Sequence, residues 1–183
     1  MKSYFNTRRV SRGDIEKYKL IGDGKDGKVY QISNNKCVKV FFLEKTQKQE
    51  LKALEIGQSS PIIPRLYEYG DNYIVMEYVH GISLARHLKR EKKITEELTE
   101  KILIMLGELE KLGFTRWDTE VRHVLINEEG QLKVIDHKRA FTSNSKVPTK
   151  LLKGFQKFGL EQEFLKDVKN LHPSVYKSWM KDQ

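Results

Sequence analysis

The sequence predicts an α+β fold, with an antiparallel sheet early in the chain and helices after it. Residues 18–42 hold short runs rich in β-branched and aromatic residues, separated by Gly-Asp-Gly and Ser-Asn-Asn. Such runs, joined by tight turns, read as antiparallel strands. From residue 83 on, longer segments with apolar residues at helical spacing become prominent. The third observation concerns "IGDGKDGKVY" at 21–30, where three glycines run straight into a strand pattern instead of opening a helix. A dinucleotide-binding βαβ unit puts its glycines between a strand and a helix, so that alternative is set aside.

Taken in order, "YKLIGDG" and "GKVYQIS" are expected to be two strands around the glycine turn. "SNN" (33–35) then turns the chain into a third strand over 37–42. "EKTQKQELKALEIGQ" (44–58) reads as a helix that stops near Gly57. "PRLYEYG" and "NYIVMEYV" give two more strands, joined at Gly70-Asp71-Asn72. "SLARHLKR" is helical, and a longer helix begins at the capping residue Thr95 and ends at Gly113. "HVLINEEGQLKVID" reads as two short strands around Glu129-Gly130, followed by a helical tail from about Lys150. The expected organisation is one domain over residues 1–183, with an N-terminal lobe to about 78 and a C-terminal lobe from about 79. No repeat or low-complexity stretch interrupts it.

Composition narrows the class of protein. With 38% hydrophobic residues in 183, the chain can bury a globular core. Its 32% charged residues leave no apolar run near the roughly 18 residues a membrane-spanning helix needs. The N-terminal stretch is basic but has no apolar segment of the secretory kind. One cysteine, Cys37, can form no internal disulfide, and a reducing cytoplasm is the expected compartment. The net charge of +9 is spread among nearby acids, as in "LKREKK". It reads as solvated surface, so nucleic acid is not a required partner.

Several residues then fall into a chemical order. Gly22, Gly24, Gly27 and Val29 follow a G-x-G-x-x-G-x-V spacing. Lys39 sits in the next strand between Val38 and Val40, where an ammonium needs an anion because a lone buried charge is costly. Glu50, eleven residues on, is the natural partner, with Glu55 as the alternative. "YIVMEYVHGISL" (73–84) ends a strand in a connector, "RWDTEVRHVLI" (116–126) carries Asp118, and "KVIDHK" (133–138) carries Asp136. Asp118 and Asp136 stand 18 positions apart with a strand hairpin between them. In this order, residues of roughly 18 to 141 resemble the protein kinase-like superfamily, whose glycine loop lies as a lid over phosphates.

The resemblance implies a bilobal protein kinase-like fold, with an antiparallel-sheet N-lobe and a small, truncated helical C-lobe. It implies ATP as ligand with Mg²⁺ or Mn²⁺. Ile21, Gly22, Gly24, Gly27 and Val29 would cover the nucleotide, and Lys39, paired with Glu50, would hold the α- and β-phosphates. Cys37, on the same strand face as Lys39, would form part of the adenine roof. Met76 would border the back of the adenine pocket, and the backbones of Glu77 and Val79 would bond the adenine edge. Asp118 would accept the proton of the acceptor hydroxyl, and Asp136 would bind the metal.

Departures from the family pattern cluster at the chemistry. His123 replaces the asparagine that serves as second metal ligand, and its nitrogen suits manganese better than magnesium. Glu120 replaces the usual lysine, leaving Arg122 to neutralise phosphate. His137 and Lys138 replace Phe-Gly after the metal aspartate, and Arg116-Trp117 replaces His-Arg. Only 47 residues follow Asp136. The chain is therefore similar to stripped kinases of the RIO and Bud32 type, and to small serine/threonine kinases of Firmicutes bacteria. The expected activity is ATP-dependent phosphorylation of serine or threonine on a protein. The alternatives are a kinase for a sugar, lipid or antibiotic, and a nucleotide-binding pseudokinase.

Overall fold

The computed structural model describes residues 4–5, 8–116, 119–142 and 147–181. The chain divides into two compact units: Met1–His80 with Asp136–Arg139, and Gly81–Ile135 with Ala140–Gln183.

The first unit is built on a five-stranded antiparallel sheet of β1 (Lys19–Gly24), β2 (Gly27–Ser33), β3 (Lys36–Phe41), β5 (Tyr73–Glu77) and β4 (Leu66–Tyr69), in that spatial order. A helix, α2 (Glu44–Gly57), connects β3 to the β4–β5 hairpin. Side chains alternate faces along a strand, and the register sorts them. Val38 of β3 lies opposite Val75, and Val40 opposite Tyr73. These four join Phe5, Val10 and Ile15 in one apolar cluster. The other face carries Cys37 opposite Met76, and Lys39 opposite both Ile74 and Val29.

The N-terminal segment covers the apolar face and is tied to the β4–β5 turn. Asn72, 7% exposed, accepts from the Val10 N–H and donates to the Val10 carbonyl, both at 2.9 Å. The Asp71 N–H donates to the Arg8 carbonyl at 2.6 Å. Gln47 of α2 donates to the Gly70 carbonyl at 2.8 Å, so the same turn also holds α2. A short helix, α1 (Arg12–Ile15), precedes β1 and is closed by Ser11, whose N–H and hydroxyl both donate to Asp14. Four residues are too few for periodicity to reveal it in the sequence.

In the second unit, β6 (Gly81–Ser83), β7 (Val124–Asn127) and β8 (Leu132–Val134) form a three-stranded antiparallel sheet. Three-residue β6 precedes the expected helix α3 (Leu84–Glu91) and gives no sequence signal. Helix α4 (Glu96–Lys111) is capped by the Thr95 hydroxyl, which accepts from the Leu98 N–H at 3.2 Å. The tail is three helices: α5 (Thr149–Lys157), α6 (Glu161–Leu171) and α7 (Pro173–Lys181). Their core includes Phe155 stacked on Phe164 and Phe164 on Trp179. Buried Asp167 of α6 accepts from the Thr99 hydroxyl at 3.1 Å, which fastens α6 to α4. The architecture is α+β, with an antiparallel five-stranded sheet in the first unit and a three-stranded sheet with helices in the second. No described helix is long and apolar enough to cross a membrane.

Candidate functional site

Lys39 projects from the centre of the sheet on the face opposite the apolar cluster. Its ammonium meets Glu50 Oε2 at 2.6 Å. Spacing explains the pair, because Glu50 lies two turns into α2 on the buried side, whereas Glu55 is exposed. Both side chains are withdrawn from solvent, Lys39 to 12% and Glu50 to 3% exposure. Burial pushes the Glu50 carboxyl up from its ordinary range, against the pull of Lys39, and the Asp136 charge pushes the same way as burial.

The Lys39 ammonium also stands 3.8 Å from Asp136 Oδ1, an oxygen that is itself buried. Asp136 has φ 62°, in the left-handed region. Among the described residues the only other non-glycine there is Lys92, which ends α3 as a helix cap. Asp136 caps no helix. Such conformations concentrate where a side chain must be aimed, and here the aimed group is a carboxylate facing the lysine.

Around Lys39 the sheet face is largely apolar. Cys37 and Met76 are buried beside it, and the Cys37 thiol lies 3.6 Å from the Glu77 carbonyl. Desolvation raises the Cys37 pKa to about 12, so the sulfur acts as a small hydrophobe. The Glu77 N–H donates to the Arg65 carbonyl and the Tyr78 N–H to the Asn35 carbonyl. Val79 is buried at the end of this connector.

The glycine turn has a division of labour that spacing could not show. None of Gly22, Gly24 and Gly27 has the positive φ that would require glycine. Gly27 is needed for space, because a Cβ there would meet the Val40 carbonyl oxygen at 2.2 Å. At Gly22 and Gly24 an added Cβ would make ordinary contacts of 3.4 Å and 3.6 Å. The register slips between Leu20 and Gly22, so Ile21 sits in a bulge of the edge strand. Val29 pairs with Lys39 across β2–β3.

The second unit carries the remaining candidates. Trp117 and Asp118 lie outside the described residues. Arg122 is exposed and meets Glu120 at 2.8 Å, while Lys150 of α5 reaches the other Glu120 oxygen at 3.8 Å. His123 is half-buried; its N–H donates to the Glu120 carbonyl, and its carbonyl accepts from Ile135 N–H at 2.9 Å. In the acidic stretch 160–167, Glu161 and Glu163 open α6 and Asp167 accepts from the Thr99 hydroxyl.

Spacing along the chain assigns no role to the contact between Lys138 and Asp26. The Lys138 ammonium hydrogen-bonds the Asp26 carboxylate at the tip of the glycine turn and stands 3.9 Å from Asp136 Oδ1. Its only signal was a lysine standing where the kinase pattern has glycine.

A nucleotide and a divalent ion fit these residues in a specific way. The sheet face offers apolar cover beside an ammonium, which suits a purine carrying phosphates. No group of three or more metal-ligating side chains occurs among the described residues. A single hard carboxylate at Asp136 suits Mg²⁺, which takes one or two carboxylates and completes its shell with phosphate oxygens and water.

A comparison with protein families finds none whose pattern matches the chain. Among individual proteins, the chain is 30% identical over 139 residues to YrzF of Bacillus subtilis strain 168, whose name carries the serine/threonine-protein kinase assignment as provisional. The match covers 70% of this chain and 65% of that protein. It is 27% identical over 152 residues to Ribosomal protein S6 kinase beta of Caenorhabditis elegans, covering 70% of this chain and 28% of the relative. It is also 27% identical over 143 residues to the Protein kinase C zeta type of Oryctolagus cuniculus, covering 71% and 24%. The chain thus spans less than two thirds of each of these relatives. Its similarity is to serine/threonine protein kinases.

Proposed function

We propose that this chain is an ATP-dependent phosphotransferase of the protein kinase-like superfamily, transferring the terminal phosphate to serine or threonine on a protein. The observation that carries the reading is Lys39, held between Glu50 at 2.6 Å and Asp136 at 3.8 Å on an otherwise apolar sheet face. In this reading Glu50 orients the Lys39 ammonium toward the α- and β-phosphates. Cys37, Val29 and Met76 cover the purine, and the Glu77 carbonyl and Val79 N–H meet its edge. Ile21, Gly22, Gly24 and Gly27 form the lid that excludes water. Asp136 holds Mg²⁺ or Mn²⁺, whose chemistry is to neutralise charge on the phosphates.

Asp118 is assigned as the base that orients the acceptor hydroxyl. Arg122 and His123 are assigned to phosphate neutralisation and to a second metal contact. The reading groups the chain with atypical kinases of the RIO and Bud32 type, working in the cytoplasm, where ATP and a reduced Cys37 coexist.

The test combines nucleotide binding, followed with a fluorescent ATP analogue, and transfer of labelled γ-phosphate in Mg²⁺ and in Mn²⁺. Asp136→Asn is expected to abolish the metal-dependent part of binding. Asp118→Asn is expected to keep binding and lose turnover, because a base matters mainly as the hydroxyl attacks. Failure of the wild-type protein to bind ATP would overturn the reading. Binding without any transfer in either metal would leave a nucleotide-binding pseudokinase.

A further inference from the structure

We propose that Lys138 is a second polyphosphate-binding cation of the Lys39 site, paired in the ligand-free chain with Asp26 at the tip of the glycine turn. The inference rests on the nucleotide reading above and extends it to a residue that the kinase pattern does not supply. Two ammonium groups converge on one carboxylate oxygen: Lys39 stands 3.8 Å and Lys138 3.9 Å from Asp136 Oδ1. Neither distance is a hydrogen bond. Both cations therefore flank the Asp136 carboxylate, the group proposed to hold the metal.

The turn that presents Asp26 is itself anchored. The Phe42 N–H donates to the Asp26 carbonyl at 3.0 Å, tying the loop tip to the end of β3. The Asp26 side chain then hydrogen-bonds Lys138, whose exposure is 19%. A long, flexible side chain is thus held with its charge beside the metal carboxylate rather than in bulk water. Lys39 is engaged by Glu50 at 2.6 Å and Lys138 by Asp26, so the two cations are held by separate carboxylates on either side of Asp136.

Charge accounting gives the inference a sign. Lys39 and Lys138 contribute two positive charges, against three negative ones from Glu50, Asp136 and Asp26. Removing the Lys138 charge makes the site more hostile to phosphate. Removing the Asp26 charge makes it less hostile and frees the ammonium for the ligand. If the Lys138–Asp26 pair were only a latch closing the glycine turn, losing either partner would weaken binding alike.

The experiment measures calorimetric affinities for Mg-ATP, Mg-ADP and adenosine on the full chain, with melting curves confirming that each variant folds. Lys138→Met is expected to weaken Mg-ATP and Mg-ADP by about tenfold or more, as for a lost charge-assisted hydrogen bond. It is expected to leave adenosine unchanged, and Lys138→Arg is expected to restore most of the loss. Asp26→Asn is expected to leave Mg-ATP affinity unchanged or raise it a few-fold. Equal weakening by Lys138→Met and Asp26→Asn would overturn the assignment in favour of the latch. So would unchanged Mg-ATP affinity in Lys138→Met, or equal loss of ATP and adenosine. A wild-type protein that binds none of the three ligands refutes the nucleotide reading itself. One that binds all three with Lys138 indifferent refutes only the role of Lys138.

Discussion

At the scale of single residues, the cluster of Glu50, Lys39 and Asp136 sets a measurable balance. Burial and the Asp136 charge raise the Glu50 pKa, while Lys39 lowers it, and burial is the largest of the three. A carboxyl with a raised pKa binds protons more readily in the folded chain than in the unfolded one. Its contribution to stability is therefore full below the ordinary carboxylate pKa and declines as pH rises through the raised value. Urea unfolding of the wild type and of Glu50→Gln between about pH 4 and pH 8 reads this directly. The stability difference is expected to move in favour of the glutamine variant as pH rises. Movement the other way would mean that attraction to Lys39 outweighs desolvation.

At the scale of elements, the glycine turn and its strands separate structural from functional constraint. Gly27 lies where β2 passes β3 so closely that a methyl group would strike the Val40 carbonyl. Gly27→Ala is expected to cost about 1–3 kcal/mol, as overpacking does. Gly22→Ala and Gly24→Ala meet only ordinary contacts, and their effect on stability is expected within about 0.5 kcal/mol. If the backbone at these two positions approaches phosphate, both variants lose nucleotide affinity while melting like the wild type. Stable variants with unaltered affinity would show that Gly22 and Gly24 are tolerated turn residues and nothing more.

At the scale of the whole molecule, each unit has its own core, and Cys37 reports on the first. The thiol is 6% exposed and its pKa stands at about 12. At pH 8 the native protein then holds roughly one thiolate in ten thousand, and labelling has to await an opening of the sheet. A ligand bound only to the closed form suppresses that opening by the factor 1 + [L]/Kd. Mg-ATP at a hundred times Kd is thus expected to slow labelling roughly hundredfold. A rapid rate, equal with and without nucleotide, would place Cys37 away from both core and ligand.

Local pattern was enough for the order of strands and helices, because alternation, glycine turns and a capping Thr95 act over a few residues. It missed α1 and β6, whose four and three residues are shorter than any periodicity can register. The chain order of glycines, lysine, glutamate and aspartates pointed to Lys39, Glu50 and Asp136, since a buried ammonium needs a partner and only Glu50 faces inward. Tertiary structure alone decided the left-handed backbone at Asp136, the steric need for Gly27, and the meeting of Lys138 with Asp26 across 112 positions of chain. Each of these depends on which segments pass within a few ångströms of one another. Sequence spacing carries no record of that unless the segments are neighbours in the chain.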